Sequence, residues 1–190
     1  MSLIAIVYHS GYGHTARQAE AVARGALSVS GVTSQLIKVE DIEDHWNALE
    51  KADAIIFGSP TYMGSASAPF KAFMDASSKV WFGQGWKDKL AAGFTNSASQ
   101  SGDKLATLQQ LAVFAAQHGM IWVGLGLMPG NNSSAGRIDD LNRLGSFLGA
   151  MAQSNADQGP EHGPTPADLK TAEHLGYRVA EAAQRWGARL

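Results

Sequence analysis

Short apolar runs alternate with amphipathic stretches along this chain. Leu3–His9 is nearly continuous in apolar, β-favouring residues, as a strand buried on both faces of a parallel sheet requires. After a glycine-containing turn, Ala16, Ala19, Ala23, Ala26 and Leu27 recur at helical spacing with Arg17, Glu20 and Arg24 on the other faces, predicting a helix over Thr15–Leu27. Thr33–Val39 reads as a second strand, Asp44–Lys51 as a short helix and Ala54–Gly58 as a compact third strand. Ala68–Ala76 carries the stripe Phe70, Phe73, Met74 of a helix. Leu90–Thr95 is a fourth strand, and Asp103–Gln117 a helix on the repeat Leu105, Leu108, Leu111, Ala112, Ala115. Ile121–Leu125 is a fifth strand. From Pro129 to Pro166 glycine, asparagine and serine predict a long excursion with a helical stretch over Ile138–Phe147, and an excursion of that length is functional or interfacial. A last helix opens with Pro166 at its first position and with capping-box spacing between Thr165 and Asp168.

Strands alternating with helices predict one doubly wound α/β domain spanning residues 1–190, with a five-stranded parallel sheet and helices on both faces. Such sheets bind ligands beyond the carboxyl ends of their strands. The residues that follow each strand therefore carry the functional reading.

Composition narrows the classes. At 45% hydrophobic and 17% charged residues the chain is globular, and its net charge of −2 offers no basic footprint for nucleic acid. The absence of cysteine removes disulfides, thiolate zinc sites and iron–sulfur clusters. No HExxH, EF-hand or other metal-ligand spacing appears. No apolar run approaches the roughly 18 residues of a membrane span. The apolar start, Met1–Tyr8, lacks the basic leader and cleavage site of a signal peptide, so the expected location is the cytoplasm.

Three loops are rich in small donors and acceptors. The first strand runs into His9-Ser10-Gly11-Tyr12-Gly13-His14-Thr15. A turn feeding a helix presents unpaired backbone N–H groups at the positive end of the dipole, and glycines let backbone approach an anion. The loop has no lysine, so it is not a Walker loop. It also matches G-x-G-x-x-[GA], with Glu40 at a plausible distance for a dinucleotide's ribose. The third strand runs into Pro60-Thr61-Tyr62-Met63-Gly64, whose Tyr62 and Met63 could wall a flat ring. The fourth runs into Asn96-Ser97-Ala98-Ser99-Gln100-Ser101-Gly102, a run of small polar groups. A dinucleotide on a Rossmann half would use the first two strands and leave the other loops bland. Three enriched loops after strands that adjoin in a flavodoxin-like sheet of order 2-1-3-4-5 favour FMN instead.

With these stretches in hand the chain resembles the WrbA-type flavoproteins, FMN-dependent NAD(P)H:quinone oxidoreductases. The likeness runs through Tyr8–Thr15, Ala54–Asp75, Val80-Trp81 before Lys89-Leu90-Ala91, Thr95–Gly102 and His118-Gly119-Met120, with a weaker echo over Gly136–Gln153 and the last helix. The chain departs from the family in a short Val39–Asp53 segment, in Tyr62-Met63 where Arg-Phe is usual, and in a fourth-strand loop poorer in glycine and threonine. The resemblance implies that Ser10, Gly11, Tyr12, Gly13, His14 and Thr15 hold the FMN phosphate. It implies that Pro60, Thr61, Tyr62, Met63 and Gly64 meet the ribityl chain and ring, and that Asn96, Ser97, Ala98, Ser99, Gln100 and Gly102 line the ring's polar edge. It also places Trp81 and His118 in the pocket above the flavin as catalytic residues, reached from a neighbouring subunit of a homodimer or homotetramer. The residues alone leave His118 a second role as a helix C-cap, and Trp81 a role in packing.

The implied reaction takes two electrons from NADH or NADPH and delivers them to a quinone or similar small acceptor. One alternative is a one-electron carrier that docks on redox proteins; such carriers are strongly acidic, and −2 supplies little steering. Another is a flavin-binding module without turnover.

Overall fold

The computed structural model describes residues 1–187. Its sheet is built from β1 (Ser2–Tyr8), β2 (Val32–Lys38), β3 (Ala54–Tyr62) and β5 (Leu90–Ser97), joined in the spatial order β2-β1-β3-β5 by parallel pairing. The register aligns Ile4 with Ala54 and Ala54 with Leu90, so the carboxyl ends of the central strands reach one edge together. The fifth position is divided. β6 (Ile121–Trp122) pairs with Leu90 and Ala91 at the start of β5, and β7 (Ala150–Gln153) pairs with Phe94–Ser97 at its end. The strand expected over Ile121–Leu125 is thus cut short, and the excursion is an insertion into the fifth strand position. The main-strand order 2-1-3-4-5 is observed once these two pieces are taken together.

Helices cover both faces, and the alternation along each strand sorts the core. Ile4, Ile6, Ala54, Ile56, Ala92 and Phe94 face α1 (His14–Leu27) and α6 (Pro166–Gly187), while Ala5, Val7, Ile55, Phe57 and Ala91 face the other helices. Those are α2 (Trp46–Lys51), α3 (Ala68–Ala76) and α5 (Lys104–Gln117). A 3-10 turn over Val39–Asp44 precedes α2, and the short helix α4 (Ser78–Phe82) follows α3.

Three further expectations are corrected. The region 138–147 forms turns rather than a helix, because the Asn142 side chain satisfies backbone locally: its Nδ2 donates to the carbonyls of Leu127 and Ser146, and its Oδ1 accepts from the Ser146 amide. β3 continues past Gly58 to Tyr62 and folds back as a hairpin onto β4 (Ser65–Ala66). The Thr165–Asp168 capping box is half made: Thr165 Oγ1 accepts from the Asp168 amide at 3.3 Å, but the Asp168 carboxylate turns to Arg143 instead. Among the described residues no helix is long and apolar enough to cross a membrane, and no three His, Cys, Asp or Glu side chains are grouped to hold a metal ion.

Candidate functional site

The loops after β1, β3, β5 and β7 meet in a cleft of about 390 Å³ at the carboxyl edge of the sheet. The first loop contributes Tyr12, His14 and Thr15, the second Pro60, Thr61 and Tyr62, and the third Asn96, Ser97 and Ala98. The three loops singled out from sequence therefore converge. A fourth wall, Ser154–Gly159, follows β7 and was not legible in advance. Its only advance signal was the small-residue strand Ala150–Gln153, which reads as loop when met inside a glycine-rich excursion.

Local geometry explains the first loop. Gly13 sits at the N-cap of α1 with φ 87°, a left-handed conformation that side chains resist, and a Cβ there would meet Pro160, the residue after the fourth wall. Ser10 Oγ accepts the Ala16 amide at 3.0 Å, so Ser10 serves the start of the helix. Gly11 lies under the Tyr62 hydroxyl. α1 opens at the cleft, with His14 and Thr15 of its first turn in the lining, so the positive end of its dipole lies there. His14 is 9% exposed and its Nε2 has no hydrogen-bond partner, although it borders the cleft. A buried ring nitrogen left unpaired is costly unless a ligand supplies the partner.

The side walls are aromatic and the far wall polar. Tyr12 and Tyr62 meet edge to face with centroids 6.2 Å apart, and burial, then Tyr12, raise the Tyr62 phenol above its ordinary value. Met63 (φ 48°) and Gly64 (φ 80°) form the left-handed tip of the hairpin, with Met63 fully exposed outside the cleft lining. The Thr61 hydroxyl is committed inward to Thr95 and Thr107, each at 2.8 Å. On the third loop, Asn96 Oδ1 accepts from Ser154 Oγ at 2.9 Å, and the Ser99 carbonyl accepts from the buried Lys104. Gly102 (φ 52°) packs on Ser97, while Gln100 faces a wider neighbouring groove shared with Phe147 and Met151. Glu40, the acidic partner in the dinucleotide reading, instead lies 3.5 Å from His9 Nε2.

His118 and Trp81 are not brought to this cleft. His118 ends α5 three residues before β6, whose Ile121 pairs with the first residue of β5, so it lies at the amino edge of the sheet. It is 2% exposed, enclosed by Trp86 and Phe114, and its Nε2 is 3.0 Å from Ser77 Oγ. Burial pushes its imidazole down to about 4. His118 is therefore enclosed within its own chain and does not line that chain's cleft. Its capping role holds only by position, since the ring is neutral. Trp81, on α4 at that same edge, is 45% exposed and lines no part of the cleft of its own chain.

Comparison with known proteins fits this geometry. Residues 27–132 match the family described as NADPH-dependent FMN reductase. Flavodoxin FldP of Pseudomonas aeruginosa is 44% identical over 189 residues, covering 97% of this chain and 98% of its own. A protein named NAD(P)H dehydrogenase (quinone) from Trichlorobacter lovleyi is 31% identical over 207 residues, covering 97% and 98%. Its namesake in Archaeoglobus fulgidus is 34% identical over 207 residues, covering 97% and 99%. Among solved structures, the flavodoxin, WrbA-like protein from Agrobacterium tumefaciens has a TM-score of 0.74 and 46% identity, covering 97% of this chain and 99% of that one.

Proposed function

The chain belongs to the NADPH-dependent FMN reductase family, among its WrbA-type NAD(P)H:quinone oxidoreductases, and from that membership we propose that its cleft holds FMN and serves electron transfer from NADH or NADPH to a quinone or similar small acceptor. The observation that carries this reading is the unpartnered His14 Nε2 beside the start of α1, facing two tyrosines and a polar loop across one cleft. FMN, when bound, supplies the redox chemistry, taking up an electron pair and returning it.

The protein's part is binding and orientation. Tyr12, His14 and Thr15 would hold the phosphate at the helix N-terminus, with Ser10, Gly11 and Gly13 shaping the turn, and His14 would donate from Nε2. Pro60, Thr61 and Tyr62 would bound the ribityl chain and ring, under the hairpin tip Met63-Gly64. Asn96, Ser97 and Ala98 would meet the ring's polar edge, with Ser99, Gln100 and Gly102 fixing that loop's course. Among the described residues the cleft lining contains no lysine, arginine or carboxylate, so backbone dipoles and His14 would carry the recognition of the phosphate.

Trp81 enters this reading only through assembly. Trp81 and Phe82 stand 45% and 84% exposed on α4, and Met128, Ile138 and Phe147 are exposed along the excursion. Apolar surface of this extent suits a homodimer or homotetramer, in which Trp81 would reach the cleft of another subunit. The cytoplasm is the proposed location.

A second reading has its own support: the 44% identity to a protein named flavodoxin favours a one-electron carrier. Turnover separates the two. FMN-loaded protein should consume NADPH or NADH continuously when benzoquinone is supplied, followed by nicotinamide absorbance. No consumption above free FMN with either nucleotide would overturn the reductase and leave the carrier or a flavin-binding module.

A further inference from the structure

The wall that would meet the flavin's polar edge is fastened from behind by buried polar side chains. Lys104, the first residue of α5, is fully buried, and both of its hydrogen bonds run to the end of β5 and the loop that follows it. Its Nζ donates to Ser97 Oγ at 2.7 Å and to the Ser99 carbonyl at 2.6 Å. Next to it, Gln153 Nε2 donates to the Ala98 carbonyl at 2.9 Å, and the Ser154 amide to the Ser97 carbonyl at 3.2 Å. Gln153 is held in turn: its amide donates to Asp168 Oδ2 at 2.9 Å. Asp168 also receives a two-pronged bond from Arg143, Nε to Oδ1 at 2.8 Å and Nη2 to Oδ2 at 2.7 Å.

Charge in this layer is uneven. Arg143 and Asp168 are buried together and neutralise each other. Lys104 has no carboxylate within ion-pair distance among the described residues; its bonded partners are a hydroxyl and a carbonyl. Burying an ammonium against neutral oxygens is expensive, and an apolar side chain of the same length would fill the space at lower cost. The position therefore calls for an explanation beyond packing. A cation set behind a loop that meets a flavin favours the reduced ring, where negative charge gathers.

Building on the reading of the cleft as an FMN site, we propose that Lys104 is a positioning residue of that site. It holds the Ser97–Gly102 loop in its binding form and places a positive charge behind the ring that makes bound FMN easier to reduce.

The charge is also conditional. Burial pushes the Lys104 ammonium down to about 8, with Asp168 of α6 opposing that fall and Arg143 of the excursion adding to it. Below about pH 8 the cation is present. Above it the oxidised protein loses the charge, and reduction, by placing negative charge nearby, draws the proton back. The FMN potential should then fall more steeply with pH above that point than the flavin alone requires.

The test compares wild type, Lys104→Met and Lys104→Gln by two measurements that need no turnover. Apoprotein is titrated with FMN by fluorescence quenching, and the FMN midpoint potential is measured between about pH 6.5 and 9.5. Lys104→Met should weaken FMN binding roughly tenfold, because the Ser97 and Ser99 oxygens lose their donor. Lys104→Gln keeps an amide donor without charge and should recover most of the affinity. Both variants should show a more negative potential at neutral pH and lose the steeper decline at high pH. Wild-type potential and pH profile in Lys104→Gln would overturn the proposal while leaving the FMN site standing. Failure of wild-type protein to bind FMN would overturn the reading of the cleft and the proposal with it.

Discussion

Gly176→Ala is expected to cost about 3 kcal/mol of folding stability, even though alanine is the better helix former by about 1 kcal/mol. α1 and α6 pack along one face of the sheet, and two glycines set how closely they approach. A Cβ at Gly176 would sit inside the Val22 carbonyl of α1, with the Ala26 nitrogen 3.0 Å away. Reciprocally, a Cβ at Gly25 would sit inside the Glu173 carbonyl of α6, with the Tyr177 nitrogen 2.9 Å away. In both cases the obstacle is backbone rather than the end of a flexible side chain, so the helices must separate. Separation would loosen Val22, Ala26, Ala172, Leu175 and Val179, all fully buried at this interface. Because the two glycines share one contact, Gly25→Ala/Gly176→Ala should cost less than the sum of the single changes. Urea unfolding monitored by circular dichroism measures this. A Gly176→Ala unfolding free energy within about 0.5 kcal/mol of wild type would contradict the packing described.

Acid should destabilise the protein through His118. Its ring is buried beside Trp86 and Phe114, and burial pushes its imidazole down to about 4 from the ordinary 6.5. The folded-state value is depressed, so the unfolded chain takes up this proton first as pH falls. The stability contribution is complete above about pH 6.5 and drains away as pH falls through the window down to about 4. Over that window the loss is roughly 3 kcal/mol. His118→Gln keeps a polar group for Ser77 Oγ and cannot be protonated. It should be less stable than wild type at pH 7 but lose less between pH 7 and pH 4, by that same difference. Parallel stability curves for the two proteins would show that His118 is not the titrating group.

The sheet was legible because its strands are buried on both faces: Leu3–His9 and Ala54–Gly58 have no solvent side to dilute their apolar runs. The helix over Ala68–Ala76 was read to the residue, its stripe of Phe70 and Phe73 being buried. The three loops were legible because glycine, serine and asparagine at strand ends have a local reason to be there. What stayed hidden depends on partners distant in sequence. Ala150–Gln153 becomes a strand only by pairing with Phe94–Ser97, across the long excursion. Asp168 reads as a capping residue until Arg143 arrives beside it. Lys104 reads as an ordinary charge at a helix start, and only the folded loop buries it. At His118, a position the family likeness sets near the flavin is enclosed by aromatic rings of its own chain, which the sequence did not reveal.

Anaerobic reduction of the bound flavin tests the central claim most directly. Protein loaded with FMN is mixed with NADPH, then in a separate run with NADH, and the flavin's visible absorbance is followed from milliseconds to seconds. Bleaching on that timescale with at least one nucleotide is the expected result. Flavin that stays oxidised with both nucleotides, yet bleaches with dithionite, would contradict the reductase and leave an electron carrier or a flavin-binding module.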